Sequence, residues 1–426
     1  MASVFPDSIT PDETMSAPTG LLYTVGARQG HFLRCLGATI PVHWPVAKRR
    51  SLVTRFRLLA PLLFLLFSGL TGCSTLMQGA PLPDGFSARD IAKADAGTPF
   101  AVSRDGAFAV VAKGAIRVID PGGTRTDIAQ GVASALCFSP GGARLAAALP
   151  AEEQTVLRLF DGKGQLVGET MVPARVTSIA WRSEQQLVAT AVTMKRFSFG
   201  SLLTTHLYLW DGATPPVATP MGDVTVRPAL ARLPDETLFK SFSMALSPYG
   251  DEIAYSSLRD PPLFTPYQRI AIRHLESGAE REVTATSVGS GGPIYTPDGE
   301  NLLVGDGHGM TRKVSLPEGR EKDAWPAPGN YPAISPSGAY IFLDGQLYHD
   351  GRSMISFPSQ SRGAFLPDGS GLAVSYDGKL YLVSGLKDRP AAMPADLERL
   401  LQLRRLRSLG LITEKEYKSR KGSPAP

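Results

Sequence analysis

One turn phrase that returns seven times, a composition rich in Gly and Pro, and a change to helical period near residue 394 together predict an all-β fold. The expected architecture is a seven-bladed β-propeller, with six or eight blades as the alternatives, followed by a small C-terminal helical hairpin. The 426 residues include 43 Gly and 35 Pro against 8% aromatic and 19% charged residues, a balance that suits many strands joined by tight turns. The chain divides into an N-terminal extension and signal segment over 1–72, a tether with a candidate closing strand over 73–96, the repeats over 97–390 and the helical module over 394–421.

The repeated phrase is an apolar alternating strand, a turn of the form Ser-Pro-Asp-Gly, and a second apolar strand. Its copies end at Gly106, Gly142, Gly250, Gly299, Gly338 and Gly369, with a degenerate member at Ile179-Ala180-Trp181-Arg182-Ser183-Glu184. Pro presets φ for the first corner, Ser or Asp bonds the local backbone, and Gly supplies the positive φ that closes the hairpin. A strand of small residues follows each turn, as in Ala109-Val110-Val111-Ala112 and Leu145-Ala146-Ala147-Ala148. Small side chains suit crowding near a central axis, so these second strands are expected to line it. A third alternating strand, such as Leu207-Tyr208-Leu209-Trp210, and a fourth linking piece complete units of roughly 31 to 65 residues, the arithmetic of a propeller blade. An open ring would expose unpaired edges, and Phe86-Ser87-Ala88-Arg89-Asp90-Ile91-Ala92-Lys93 is placed to serve as the outer strand of the last blade.

With its Ser-Pro-Asp-Gly corners, this part of the sequence resembles the WD40-like and TolB-type propellers over about two-thirds of the chain. The regular Gly-His element of WD40 repeats is missing, and Trp210-Asp211 is a single WD dipeptide, so the looser TolB-type likeness is preferred. The resemblance implies a docking platform for proteins or peptides. Two long hairpins in adjacent blades 3 and 4 carry Phe197, Phe199, Phe264 and Tyr267, which are candidates for a partner-binding patch. The alternative is that these side chains fold back on the blade flank.

Upstream of the repeats, a basic flank (Lys48, Arg49, Arg50, Arg55, Arg57) precedes the apolar run Leu58 to Phe67 and then Leu70-Thr71-Gly72-Cys73. This order of basic, apolar and small residues is that of a secretory signal, and the run is shorter than the roughly 20 residues that span a bilayer. The segment resembles the signal of bacterial lipoproteins, with Leu70, Thr71 and Gly72 as the lipobox. That resemblance implies lipidation of Cys73 and a tethered, not spanning, protein, since two acyl chains and an N-acyl group anchor stably at about 0.8 kcal/mol per methylene. Ser74 stands where Asp would signal inner-membrane retention, which favours an outer-membrane lipoprotein facing the periplasm, with the inner membrane as the alternative. Residues 1–47 are read as an extended n-region or as upstream of the true start near Leu52 or Val53.

The formal charge of +5 includes the basic signal flank, so it gives no reason to expect nucleic acid as a partner. Cys35 falls in the discarded segment and Cys73 would be lipidated, which leaves Cys137 as a small buried hydrophobe and no disulfide framework.

Beyond Pro394 the period becomes helical, with Leu397, Leu400, Leu401, Leu403 and Leu406 on one broad face and Arg399, Arg404, Arg405 and Arg407 mostly elsewhere. Gly410 is expected as a left-handed cap, Thr413-Glu414-Lys415-Glu416 as a capping box, and Ile412 with Tyr417 as a hydrophobic staple. The pair resembles the short module called SHOCT, which implies a small association element that packs on the propeller or on another copy. Self-association through 394–421 therefore stands among the expected contacts, beside a lipid membrane contact and envelope proteins or peptides.

Searches for chemistry return no Gly-x-Ser-x-Gly elbow, Walker A, His-Glu-x-x-His or haem motif. His206, His274, His308 and His349 lie in different repeats, and Asp306-Gly307-His308-Gly309 reads as a hairpin turn. No catalytic residue, metal site or cofactor is expected. The alternative function is a hydrolase or lactonase with acidic residues and a metal in the axial channel, and the channel lining discriminates the two.

Overall fold

The computed structural model describes residues 82–231, 239, 241–316, 318–390 and 396–422, all within the unit Thr71–Pro426. The signal-like run and the lipobox lie outside the described residues. Among the described residues, 28 strands form seven four-stranded sheets, each antiparallel throughout. The first blade comprises Phe100–Val102, Phe108–Ala112, Ala115–Ile119 and Arg125–Gln130, and the same up-and-down order repeats through the sixth. Blade 7 takes Arg362–Phe365, Gly371–Tyr376 and Lys379–Ser384 from the end of the repeats. Its outer strand is Ser87–Lys93, which pairs with Lys379–Ser384 and closes the ring. The fold is a seven-bladed β-propeller.

The first strand of each repeat lies nearest the axis, where it meets the first strands of the neighbouring blades. This corrects the expectation that the small-residue second strands line the axis. Those strands stand one place out and are covered on both faces: every residue of Phe108–Ala112 is buried, as are Leu145 to Leu149. They are small because two blades approach there, not because of the channel.

The core consequently lies between blades. Ala109, Val111, Leu136 and Ala147 pack at the junction of blades 1 and 2, and Ala189, Tyr208, Trp210 and Leu159 at that of blades 2 and 3. Ala92, Phe108, Val110 and Leu380 join blade 7 to blade 1. Cys137 packs at the margin of the blade 2–3 cluster as a free thiol, and burial pushes its pKa up. In every blade the pairing of the two outermost strands carries a register shift, for example between Asp90 and Ala92 and between Thr205 and His206. Such irregularities increase local twist and blunt the exposed edges against pairing with other chains.

The turn phrase folds as its residues dictate. Gly250 donates its N–H to the Ser247 carbonyl at 3.0 Å with φ +71°, and the buried Ser247 hydroxyl accepts the Glu252 N–H at 3.3 Å. Gly299 and Gly338 close their turns in the same way onto Thr296 and Ser335.

Strand direction divides the ring into two faces. The inner strands begin at one face, where Arg175 pairs with Val192 and Arg362 with Ser375. The Ser-Pro-Asp-Gly turns lie at the other, and the chain enters Ser87–Lys93 there, since Ser87 pairs with Ser384 and Ser384 with Gly371.

Ala92 and Ala88 test the closure, because one is buried between blades 7 and 1 and the other faces solvent on the same strand. Ala92→Asp is expected to lower stability in urea by about 3 kcal/mol, and Ala88→Asp by no more than about 0.5 kcal/mol. Equal losses would show that Ser87–Lys93 does not seal the ring.

Candidate functional site

The inner strands start around a cavity of about 590 Å³ at the axial mouth. Its wall is largely backbone and apolar side chains, including Val176, Met244, Ile294 and Pro332. Two segments come close together at its edge: a side chain at Gly291 would run into the Gly329 carbonyl. Two guanidinium groups enter from opposite sides of the ring, Arg175 on blade 3 and Arg362 on blade 7. Arg175 lies 4.8 Å above the Phe239 ring and Arg362 lies 4.1 Å above the Tyr331 ring. Tyr331 is held at φ +49°, a conformation that a bulky residue rarely adopts. Among the described residues, no Asp, Glu or His lines this cavity.

The described lining is a poor fit for an axial metal. Two arginines and, among the described residues, no carboxylate make a poor donor set for a divalent ion. Among the described residues, no group of three or more His, Cys, Asp or Glu side chains is arranged to hold one. Asp306 instead ties its own turn together, accepting the N–H groups of His308 at 2.7 Å and Met310 at 3.0 Å, while His308 bonds Ser287 at 2.8 Å.

The two long hairpins rise at the same face as the mouth. In blade 3 the strands Leu187–Phe197 and Gly200–Trp210 run on past Arg175 to a tip where Phe197 and Phe199 stack with centroids 5.3 Å apart. Phe199 is 68% exposed, and on blade 4 Leu263 and Phe264 are 90% and 72% exposed. Tyr267 sits lower, half-buried at the start of its strand, where it pairs with Arg259 and Ser287. The tips therefore project outward, while Tyr267 belongs to the sheet.

A single helical turn, α1 (Pro228–Ala231), follows the outer strand of blade 3 on the mouth face, where Val226 pairs with Ser201. The opposite face carries the C-terminal pair, α2 (Leu397–Ser408) and α3 (Glu414–Gly422). Gly410 at φ +70° lets Leu411 donate to the Leu406 carbonyl, and Thr413 and Glu416 cap α3 reciprocally, Thr413 N–H to Glu416 Oε2 at 2.7 Å and Glu416 N–H to Thr413 Oγ1 at 3.2 Å. Leu400, Leu403, Ile412 and Tyr417 make the apolar contact between the helices and with Tyr249 of the propeller.

Arg404 corrects the expected polar face of α2, because it is fully buried against the propeller. Its Nε donates to Asp251 Oδ2 at 2.6 Å and its Nη2 to Glu252 Oε2 at 2.8 Å, with Nη1 3.4 Å from the Gly299 carbonyl. Arg407 is buried as well, over the Tyr417 ring. The signal was present in the spacing, since Leu400, Leu403, Arg404 and Arg407 form one i, i+3, i+4, i+7 stripe. The surface that the sequence offers for self-association is thus taken up by the propeller, leaving Leu409 and Leu411 exposed at the turn. Burial works to raise the Asp251 carboxyl, but the Arg404 charge and hydrogen bond, with one from Ser247, outweigh it and hold the group below its usual range. No helix among the described residues is long and apolar enough to cross a membrane.

No family model matches the chain, and no curated protein matches it in sequence. Among solved structures it is similar to a chain of the mitotic checkpoint complex, at 14% identity and a TM-score of 0.51, over 73% of this chain and 98% of that one. It is also similar to the β-propeller domain of Cps50 (Swd1) from Myceliophteria thermophila, at 17% identity and a TM-score of 0.47, over 70% and 98% of the two chains. The likeness is one of fold.

Arg404→Ala leaves two buried carboxylates without their cation, a change that costs about 3–5 kcal/mol where a buried pair is broken. The expected result is release of α2 and α3, read as proteolysis within 391–422 while the propeller stays intact. Asp251 also sets a pH dependence. Because its folded pKa is depressed, its contribution to docking is full above the unfolded value of about 3.9 and is lost as pH falls through the folded value. Protection of the α2 amides, taken relative to intrinsic hydrogen exchange at each pH, is expected to be high at neutral pH and to collapse in acid below that range.

Proposed function

We propose that this chain is a lipid-tethered propeller of the cell envelope that offers its mouth face as a docking platform for proteins or peptides. The observation that carries the reading is the pair of aromatic hairpin tips, Phe197 with Phe199 and Leu263 with Phe264, exposed on adjacent blades beside the axial mouth. Apolar side chains on projecting hairpins are poorly placed to bury themselves and well placed to meet a partner.

The course of the chain supports the orientation. With Cys73 lipidated, the segment to Leu82 reaches about 30 Å at most when extended. It leads to the face where Ser87–Lys93 begins and α2 and α3 dock. A short tether at that face turns the mouth and the tips away from the bilayer, toward soluble envelope partners. An outer-membrane anchor facing the periplasm is the reading drawn from Ser74, and the inner membrane is the alternative. The SHOCT-like pair then acts within the chain, as a cover on the tethered side. Among the described residues the mouth is lined by apolar side chains, hydroxyls and two arginines and by no carboxylate, which favours this platform over a metal-dependent hydrolase or lactonase.

The test is mass spectrometry of the mature N-terminus from membrane fractions, with photo-crosslinking from positions 199 and 264. Acylation at Cys73, its loss with membrane association in Cys73→Ala, and crosslinks to discrete envelope proteins are the expected results. A mature protein that begins upstream of Cys73 without lipid overturns the tether. Absence of crosslinks from both tips overturns the docking role.

A further inference from the structure

The two hairpin tips are joined into one surface, and its charge is one-sided. Gly200, next to Phe199, lies so close to the end of blade 3's outer strand that a side chain there would run into the Val226 carbonyl. The next residue along that strand's course, Arg227, reaches across to blade 4. Its backbone N–H donates to Asp260 Oδ2 at 2.6 Å, its Nε to Asp260 Oδ1 at 2.7 Å, and its Nη2 lies 3.4 Å from the Phe264 carbonyl. The Asp260 side chain is fully buried in this clasp. On blade 4, Leu263 and Phe264 are flanked by Pro261, Pro262 and Pro266, whose fixed φ restricts the loop, and the Phe264 N–H closes the turn onto the Pro261 carbonyl at 3.2 Å. Apolar groups held in this way lose little further freedom when they meet a partner.

Segments 193–205 and 257–268, which build the tips, contain the cations Lys195, Arg196 and Arg259 and one acidic residue, Asp260, whose charge Arg227 already answers. Lys195 and Arg196 are exposed at the base of the blade 3 tip, on opposite sides of their strand. The Lys195 ammonium lies 5.5 Å above the Phe197 ring, so cation and aromatic face the same space.

Resting on the docking reading above, we propose that the joined tips receive a segment of a partner protein that carries carboxylates beside an apolar stripe. Phe199, Leu263 and Phe264 meet the stripe, and Lys195 and Arg196 meet the carboxylates. Charges at the rim of an apolar contact steer the approach and select the partner's sign more than they add affinity. An anionic lipid surface also combines negative charge with apolar chains, but its recognition by basic clusters takes roughly four to eight Lys or Arg. Two exposed cations suit a peptide.

Fluorescence anisotropy of labelled peptides with the purified full chain tests this. The probes are acetyl-Leu-Glu-Glu-Leu-Phe-Glu-Glu-Leu-Leu-Glu-Glu-amide, its counterpart with Lys for every Glu, and its counterpart with Ser for every Leu and Phe. The acidic apolar peptide is expected to bind at least tenfold more tightly than either counterpart, and its binding to weaken with added salt. Lys195→Glu with Arg196→Glu, and separately Phe199→Ser with Phe264→Ser, are each expected to lose at least tenfold in affinity with unchanged thermal unfolding. Lys163→Glu with Lys322→Glu, the same change of charge at exposed positions on blades 2 and 5, is expected to bind as the parent does. Displacement of the peptide by vesicles of equal parts phosphatidylcholine and phosphatidylglycerol, and not by phosphatidylcholine alone, assigns the surface to lipid and overturns the proposal. Equal binding of the acidic and basic peptides, full binding by the folded Lys195 and Arg196 variant, or no binding by any probe also overturns it, and leaves the platform standing if the parent still crosslinks from positions 199 and 264. Loss of those crosslinks overturns both.

Discussion

A four-stranded sheet with two apolar faces cannot stand in water alone, and this constraint orders the whole molecule. Val110 and Val111 are adjacent in one strand, point to opposite faces and are both fully buried, so blade 1 needs a neighbour on each side. The same holds for Ala146 and Ala147 in blade 2 and for Ala373 and Val374 in blade 7. Each sheet supplies half of two cores, and the requirement is satisfied only when the last blade meets the first. The pairing of Ser87–Lys93 with Lys379–Ser384 is therefore what makes seven marginal sheets into one cooperative body.

The helical pair obeys a different rule. Its apolar contact is small, and what fixes its position is a desolvated cation between two carboxylates. Such a cluster adds little net stability against a well-packed apolar equivalent, yet it tolerates few alternative placements, because a displaced Arg404 would leave three charges without partners. Asp251 and Glu252 follow directly on the Ser247-to-Gly250 turn, so the repeat that builds the blade also presents the anchor for the tail.

How much of this is legible in the residues depends on whether the determinant is local. The blade count is, because each first turn needs a residue at positive φ at one place and Gly stands there at 106, 142, 250, 299, 338 and 369. Blade 3 lacks that glycine and is marked by strand alternation through Trp181 instead. Radial order is not legible, since alternation reports that a strand is buried and not which neighbour buries it, and small side chains suit a blade junction as well as an axis. Arg404 is legible in its helical stripe, although its residue type points to solvent. The mouth brings Arg175 and Arg362 together from distant parts of the chain, and each by itself is an ordinary arginine at the start of a strand.

The separation of the two faces has a consequence for how this protein can change. Closure and helix docking rest on outer strands and on Ser-Pro-Asp-Gly turns, while the hairpin from Leu187 to Trp210 extends past the sheet at the other face. Residues can be added at that tip without disturbing a core, and doubling a loop costs only about 0.6 kcal/mol in closure entropy. Divergence in what the molecule recognises is thereby uncoupled from the integrity of the ring, and the mouth-side hairpins are where lineages of this chain are free to explore.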